Sequence, residues 1–216
     1  MTEAITVKTF PVGHLRCNCT IIADHQRKEA LVIDPGGDAD KILAYLDEQG
    51  LRLSQAIHTH AHFDHIMASG NLKKQTGCSL GLHPDDRMLW DHLEEQCRMF
   101  SLPYSPLPAP DQYLSHQQEL LLGRCRGEAL HTPGHTPGSM SFYFPEQSLL
   151  IAGDTLFRGS VGRTDLWGGD FAKIQHSIQE IIYRLDEETT VVTGHGPQTT
   201  IAYELRHNAI ISGRKG

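Results

Sequence analysis

The sequence predicts an α+β fold in which two sheets pack together with helices outside. Two observations predict it: each half of the chain begins with short strand candidates separated by turns, and in each half helical patterns follow the strands. A third, the Pro-rich stretch 102–110 with four prolines in nine residues, reads as a surface loop crossing between the halves. The chain's 216 residues suffice for one substantial core.

In the first half, residues 5–10, 19–23 and 30–33 read as a strand meander, broken by Pro11-Val12-Gly13 and the polar stretch 24–28. Asp34-Pro35-Gly36-Gly37 ends the third strand. Ala39, Ile42, Leu43 and Leu46 then recur at helical spacing, with Asp38 as the N-cap and Gly50 as the stop. Residues 53–59 form a strand that runs into a polar turn, and 66–75, with few breakers, a short helix. Residues 79–83 give a further strand, and 85–100 a helix carrying Met88, Leu89, Leu93, Cys97 and Phe100. In the second half the strands are 119–122, 128–130, 139–144 and 149–152. A long helix follows with Phe171, Ile174, Ile178, Ile181, Ile182 and Leu185 on one face. Residues 189–193 make a last strand and 201–210 a last helix.

Composition narrows the class. Apolar content of 39% and charged content of 21% describe an ordinary globular chain, and no apolar run reaches the length of a membrane span. Met1-Thr2-Glu3-Ala4-Ile5-Thr6 lacks the basic and then apolar pattern of a signal peptide, so the expected location is cytoplasmic. A net charge of -7 argues against a broad nucleic-acid-binding surface. Cys17, Cys19, Cys78, Cys97 and Cys125 are scattered and odd in number, which reads as reduced thiols; Cys17 and Cys19 read as packing residues rather than ligands.

The chemistry concentrates in His60-Ala61-His62-Phe63-Asp64-His65. One histidine alone is more often a core or surface residue than a ligand. Three histidines and an aspartate within six residues, on a loop between strand and helix, point to a divalent-metal site with room for two ions. His58 lies just outside the pattern and reads as a supporting or structural residue. Three further Gly/Pro-rich turns each carry one candidate ligand: Thr132-Pro133-Gly134-His135-Thr136-Pro137-Gly138, Ala152-Gly153-Asp154-Thr155-Leu156-Phe157 and Thr193-Gly194-His195-Gly196-Pro197.

With Asp34-Pro35-Gly36 and Gly162-Arg163-Thr164-Asp165, these motifs resemble the metallo-β-lactamase superfamily over about residues 5–208, and within it the glyoxalase II (hydroxyacylglutathione hydrolase) branch. The resemblance implies an αββα sandwich of two mixed sheets. It also implies a dinuclear centre in which His60, His62 and His135 hold one ion, Asp64, His65 and His195 the second, and Asp154 bridges. Two zinc, iron or manganese ions would suit such ligands. The implied reaction is attack of metal-activated water on a small-molecule thioester such as S-D-lactoylglutathione, the step known from methylglyoxal detoxification, with Asp64 and Asp154 as the catalytic carboxylates.

Larger glyoxalase II enzymes continue into a helical domain that contacts glutathione. Here only about twenty residues follow His195, so a single catalytic domain over 1–216 with weakened glutathione affinity is expected. The basic tail Ser212-Gly213-Arg214-Lys215-Gly216 reads as a solvated end. Arg163 is a candidate anchor for a substrate carboxylate, although pairing with Asp165 to hold its loop is the simpler role. Tyr143 is a second candidate substrate contact and Phe157 a third, with core packing the simpler role for both. The competing activity is an iron-dependent glutathione persulfide dioxygenase, since GRTD segments also occur in that branch. A β-lactamase or lactonase is less well supported, since a β-lactamase normally carries an export signal and the resemblance gives an Asp154 bridge as typical of the hydrolase branch; a nuclease is less well supported given the acidic balance and no evident phosphate-binding arm.

Overall fold

Apolar, β-branched runs between turn signals form strands close to where their patterns place them, and two six-stranded mixed sheets result. The computed structural model describes residues 4–212. Met1-Thr2-Glu3 of the expected leaderless start and Gly213 to Gly216 of the basic tail lie outside the described residues. The chain divides into two units, Met1–Leu114 with Leu121–Cys125, and Ser115–Leu120 with Arg126–Gly216.

The first unit contains β1 (Ile5–Val12), β2 (Cys17–Asp24), β3 (Glu29–Ile33), α1 (Ala39–Glu48), β4 (Arg52–Ile57), α2 (Phe63–Ile66), α3 (Ser69–Thr76), β5 (Ser79–Leu82), α4 (Arg87–Asp91), α5 (Leu93–Met99) and β6 (Gln112–Tyr113). The sheet order is β1-β2-β3-β4-β5-β6. The first three strands are antiparallel, and β3 to β6 run parallel. Parallel neighbours need crossover connections, which α1 supplies from β3 to β4 and α2 with α3 from β4 to β5. Cys17, Cys19, Ile21 and Ala23, alternate residues of β2, pack with Ile42, Leu46 and Leu72 of the helices. The intervening Ile22, and Leu31 and Ile33 of β3, are buried too. Burial on both faces is why residues 30–33 are apolar without alternation.

The second unit holds most of β8 (Cys125–His131) and the first three residues of β7 (Gln118–Leu122), and all of β9 (Met140–Phe144), β10 (Leu149–Gly153), a small pair β11 (Leu156–Phe157) and β12 (Ser160–Val161), α6 (Phe171–His176), β13 (Thr190–Thr193), β14 (Thr199–Thr200) and α7 (Ile201–His207). Its sheet runs β14-β13-β10-β9-β8-β7. β8, β9 and β10 are antiparallel and β13 joins β10 in parallel. Ile174, Ile178, Ile182 and Ile201 cover Leu150, Ala152 and Val191.

Several elements differ from the sequence expectation for identifiable reasons. Asp38 does sit at the N-cap of α1, but in a left-handed conformation with no side-chain cap; its carboxylate accepts the Gly13 N–H instead, at 3.0 Å. The helix expected over 66–75 starts earlier, at Phe63, and is interrupted because the Ala68 N–H donates to the Pro35 carbonyl at 2.9 Å. The helix expected over 85–100 is three pieces, with a break at His92 whose ring binds the Met88 carbonyl at 2.8 Å. The long second-half helix passes into a π turn at Ser177–Ile181, where the buried Ser177 hydroxyl donates to the Pro133 carbonyl. Phe171, placed on its apolar face, is 48% exposed. The last helix stops at His207 because the Asn208 amide oxygen accepts the N–H groups of Ile210 and Ile211. The Pro-rich stretch connects α5 to β6 within the first unit, and the chain leaves that unit at Leu114. No helix among the described residues is long and apolar enough to cross a membrane. All five cysteines are buried thiols.

Candidate metal centre

In the first unit the parallel neighbours β3 and β4 end side by side, with Ile33 opposite Ile57 and the Asp34 N–H on the Ile57 carbonyl at 3.1 Å. The chain therefore delivers Asp34 and the segment from His58 to His65 at the carboxyl ends of parallel strands, where open sheets place their sites. His60 Nε2 lies 3.1 Å from His62 Nδ1. His65 Nε2 lies 3.7 Å from Asp64 Oδ2. Two donors sharing an ion at usual bond lengths and near-tetrahedral angles lie about 3.4 Å apart, so both spacings fit a metal ligand pair.

One carboxylate orients two of these histidines. Asp34, 1% exposed, accepts the Thr59 N–H and the Thr59 hydroxyl, each at 2.7 Å, and His65 Nδ1 at 3.0 Å. With its proton committed to Asp34, the Thr59 oxygen accepts from His60 Nδ1 at 3.1 Å. Both rings are thus held through Nδ1, which turns Nε2 of each toward its neighbouring donor, an arrangement that fixes tautomer and aim. Cys17 Sγ also touches His65 Nδ1, at 3.4 Å, and burial pushes its thiol up to about 12. It is neutral there, and makes this contact as well as the packing contact expected of it. Gly36 lies against the backbone of Asp64: a Cβ there would sit 1.5 Å from the Asp64 carbonyl oxygen.

The backbone of the histidine loop is held from outside the motif. Asp86 accepts the Ala61 N–H at 2.9 Å, and Gln96 accepts the Phe63 N–H at 3.0 Å while donating to the Ala61 carbonyl at 3.1 Å. His58 is structural, as one of its two expected roles had it. Its ring bonds the Gly81 carbonyl and the Ser69 hydroxyl at 2.8 and 2.7 Å, and burial lowers its pKa to about 4, leaving it neutral. Replacing Gln96 by leucine strands two loop groups without partners. Expected is a loss of about 2–3 kcal/mol in urea unfolding together with weaker metal retention, Gln96→Glu recovering part through the Phe63 bond.

In the second unit His135 lies in the turn between β8 and β9, while Asp154 and His195 follow β10 and β13. Those two strands are parallel, with Gly153 opposite Thr193 and the Gly194 N–H on the Gly153 carbonyl at 2.7 Å. Asp154 Oδ2 is 3.6 Å from His135 Nε2, and Asp154 Oδ1 is 3.8 Å from His195 Nε2. Each carboxylate oxygen thus faces a different imidazole, the geometry of a bridging ligand. His135 is aimed by its Nδ1, which bonds the Arg163 carbonyl at 2.8 Å. Gly162 makes that approach possible, since a Cβ there would lie 1.8 Å from the Asp154 carbonyl oxygen. The GRTD segment therefore supports the ligands by its backbone. The Arg163 side chain is paired with Asp165 at 2.7 and 2.8 Å, and this guanidinium holds the Asp165 carboxyl down at about 2. Tyr143 packs against the helix-side core of its unit, and Phe157, in β11, is half-buried.

Motif spacing, strand-end placement and ligand geometry converge with a family match over residues 12–195 to the metallo-beta-lactamase superfamily. The chain belongs to that superfamily. A superfamily relative, hydroxyacylglutathione hydrolase GloC of Haemophilus influenzae, is 35% identical over 97% of this chain and 100% of its own length. The crystal structure of BLEG-1 B3 metallo-beta-lactamase is 36% identical, with a TM-score of 0.89 over 96% of this chain and 100% of that one. That of TTHA1623 in a di-iron-bound form is 35% identical, with a TM-score of 0.87 over 94% of this chain and 100% of the other. The fold class is accordingly the α+β metallo-β-lactamase type, and proteins of this superfamily fold bind divalent metals.

The sequence reading did not assign roles to Thr59, Asp86 or Gln96, and took Asp34 only as part of a motif. Gln96 left a signal, being a polar residue between Leu93 and Cys97 on a buried helix face. Asp86 left none, because an aspartate after Pro84 reads as a helix start.

Proposed function

We propose that the protein is a dinuclear metal-dependent thioester hydrolase acting in the cytoplasm, with S-D-lactoylglutathione as the candidate substrate and D-lactate and glutathione as products. The split Asp154 carboxylate carries this reading, because one oxygen toward His135 and one toward His195 suits two ions better than one. In this reading His60, His62 and His135 hold the first ion, Asp64, His65 and His195 the second, and Asp154 both. The name of the Haemophilus influenzae relative supports the substrate, and the di-iron form of TTHA1623 supports iron beside zinc or manganese.

Bound metals would acidify a water and polarise the thioester carbonyl. The protein's own groups do the rest. Asp64 and Asp154 act as acceptors that orient the attacking water. His60 and His65 in the first unit and His135 in the second are each buried, 1%, 0% and 3% exposed, and buried groups act on a developing oxyanion most strongly where water is excluded. A C–O bond forms, the C–S bond breaks, and one proton is released with the carboxylate and thiol. The thiol's pKa of about 8.5 makes it a good leaving group, so no strong acid is required. Arg163 meets a substrate carboxylate only by exchanging Asp165 for it. Tyr143 is partly buried against the core of its unit, which leaves core packing the simpler role for it.

The second reading, an iron-dependent glutathione persulfide dioxygenase, draws on the GRTD segment at 162–165. Elemental analysis of the purified protein, followed by parallel assays of thiol release from S-D-lactoylglutathione and oxygen uptake with glutathione persulfide, separates the two. Expected are about two metal equivalents per chain and thiol release that chelation abolishes and metal restores. Oxygen uptake without thiol release would sink the hydrolase reading.

A further inference from the structure

Three segments of the second unit meet at one buried carboxylate that has no place in the ligand set above. Glu204 of α7 is 0% exposed. Its Oε2 accepts the Gly159 N–H at 2.9 Å and the Asn208 amide at 2.7 Å, and its Oε1 accepts the Thr199 hydroxyl at 2.6 Å. The Asn208 amide also donates to the Ser160 carbonyl at 3.1 Å, so α7 grips two consecutive residues at the turn between β11 and β12.

Each gripped segment leads to a candidate ligand. The β11–β12 hairpin starts two residues after Asp154 and returns the chain at Gly162 and Arg163. Gly162 lies against the Asp154 carbonyl, and the Arg163 carbonyl takes His135 Nδ1. Thr199 opens β14 and so closes the loop that carries His195, whose other end is tied by the Gly194 N–H to Gly153. The hairpin has little hold of its own. It has two residues per strand and forms a separate two-stranded sheet, and such ribbons are marginal alone. The bond closing its base, from the Gly162 N–H to the Thr155 carbonyl, is long at 3.4 Å. Leu156 and Val161 pack that base on the core, which leaves the tip to α7.

We propose that Glu204 is a positioning residue for the candidate centre: by its reach it sets the hairpin and the His195 loop, and through them the aim of His135 and His195 and the seat of Asp154. The proposal rests on the reading of those residues as metal ligands. Reach is the property the geometry requires. In Glu204→Gln the amide oxygen keeps Gly159 and Asn208 while the amide N–H donates to the Thr199 hydroxyl, which can accept as well as donate. Glu204→Asp keeps the charge but draws the carboxylate back by a methylene, so the hairpin tip or Thr199 must follow it or lose its partner.

Cobalt(II) titration of the chelator-stripped protein, followed by d–d absorption, reads affinity and ligand geometry. Proton–nitrogen NMR of the His135 ring reads the Nδ1–H bond to Arg163 with no metal present. Glu204→Asp is expected to bind cobalt about tenfold more weakly, with shifted bands, and to shift or broaden the His135 Nδ1–H signal. Glu204→Gln is expected to match the wild type in all these respects. Thr200→Ala removes the hydroxyl that caps α7 by accepting the Tyr203 N–H at 3.1 Å. It should lower stability to urea and leave affinity, bands and ring signal alone. Wild-type cobalt binding and ring signal in Glu204→Asp would overturn the proposal. An equal loss in Glu204→Gln or Thr200→Ala would overturn it too, since charge or stability, not reach, would then be the cause. If the wild type takes up no cobalt but the ring signal still moves in Glu204→Asp and not in Glu204→Gln, the link from Glu204 to His135 stands and only the metal reading fails.

Discussion

Asp154→Ala is expected to lose metal and activity together. Its two oxygens face His135 and His195 at 3.6 and 3.8 Å, one oxygen to each imidazole. In the proposed centre, its removal would leave two cations without the anion that offsets their repulsion, and with one ligand fewer each. A loss of several kcal/mol in stabilising transition-state charge corresponds to about a thousandfold or more in kcat/KM. Elemental analysis should show metal content falling below one equivalent, while circular dichroism stays native because the turn after β10 is held by backbone bonds such as Gly194 to Gly153. Asp154→Asn, with one weak oxygen donor, should fall between. Wild-type metal content and activity in the alanine variant would refute the bridging role.

Asp34→Ala is expected to damage both stability and metal affinity, although Asp34 is not a ligand in the proposed centre. The substitution takes the carboxylate acceptor from the Thr59 N–H, the Thr59 hydroxyl and His65 Nδ1, in a site that is 1% exposed, and leaves Cys17 Sγ against His65 Nδ1. Each buried group left without a partner costs about 1–3 kcal/mol, so a loss of roughly 3–5 kcal/mol in chemical unfolding is expected after relaxation. Two histidines also lose their aim, His65 directly and His60 through Thr59. Loss of such orienting partners lowers metal affinity about 10–100-fold, which competition with a chromophoric chelator would read. Asp34→Asn isolates the charge. It keeps an oxygen for the Thr59 N–H but presents an amide N–H toward His65 or the Thr59 hydroxyl, so stability should recover more than affinity. Unchanged affinity in both variants would mean that packing alone, including Cys17, fixes the His65 ring.

Much of this was legible in the sequence because local rules suffice for it. β10 is apolar throughout and β3 is apolar after Glu29, and the six-residue histidine cluster needs no partner to be recognised as ligand-rich. Helix continuity was less legible. At the His92 break in 85–100 the Gln96 amide donates to the Leu89 carbonyl, and whether 63–76 is one helix depends on Ala68 donating to Pro35, a residue far away in sequence. Periodicity cannot register such competitors. Phe171, whose spacing also fits the apolar face, is the first residue of its helix, one turn ahead of the buried Ile174, and is 48% exposed.

By itself the sequence determined the α+β class, most strands to within a few residues, and which side chains have metal-binding chemistry, because strand pattern and donor type are properties of short segments. Only the tertiary structure decided which groups aim those donors. Asp34, Thr59, Asp86 and Gln96 act on the histidine loop, and the Arg163 carbonyl on His135, through hydrogen bonds between groups brought together by chain reversal. Their residue types are common and their spacing carries no period, so nothing local distinguishes them until the backbone has placed a donor opposite an acceptor.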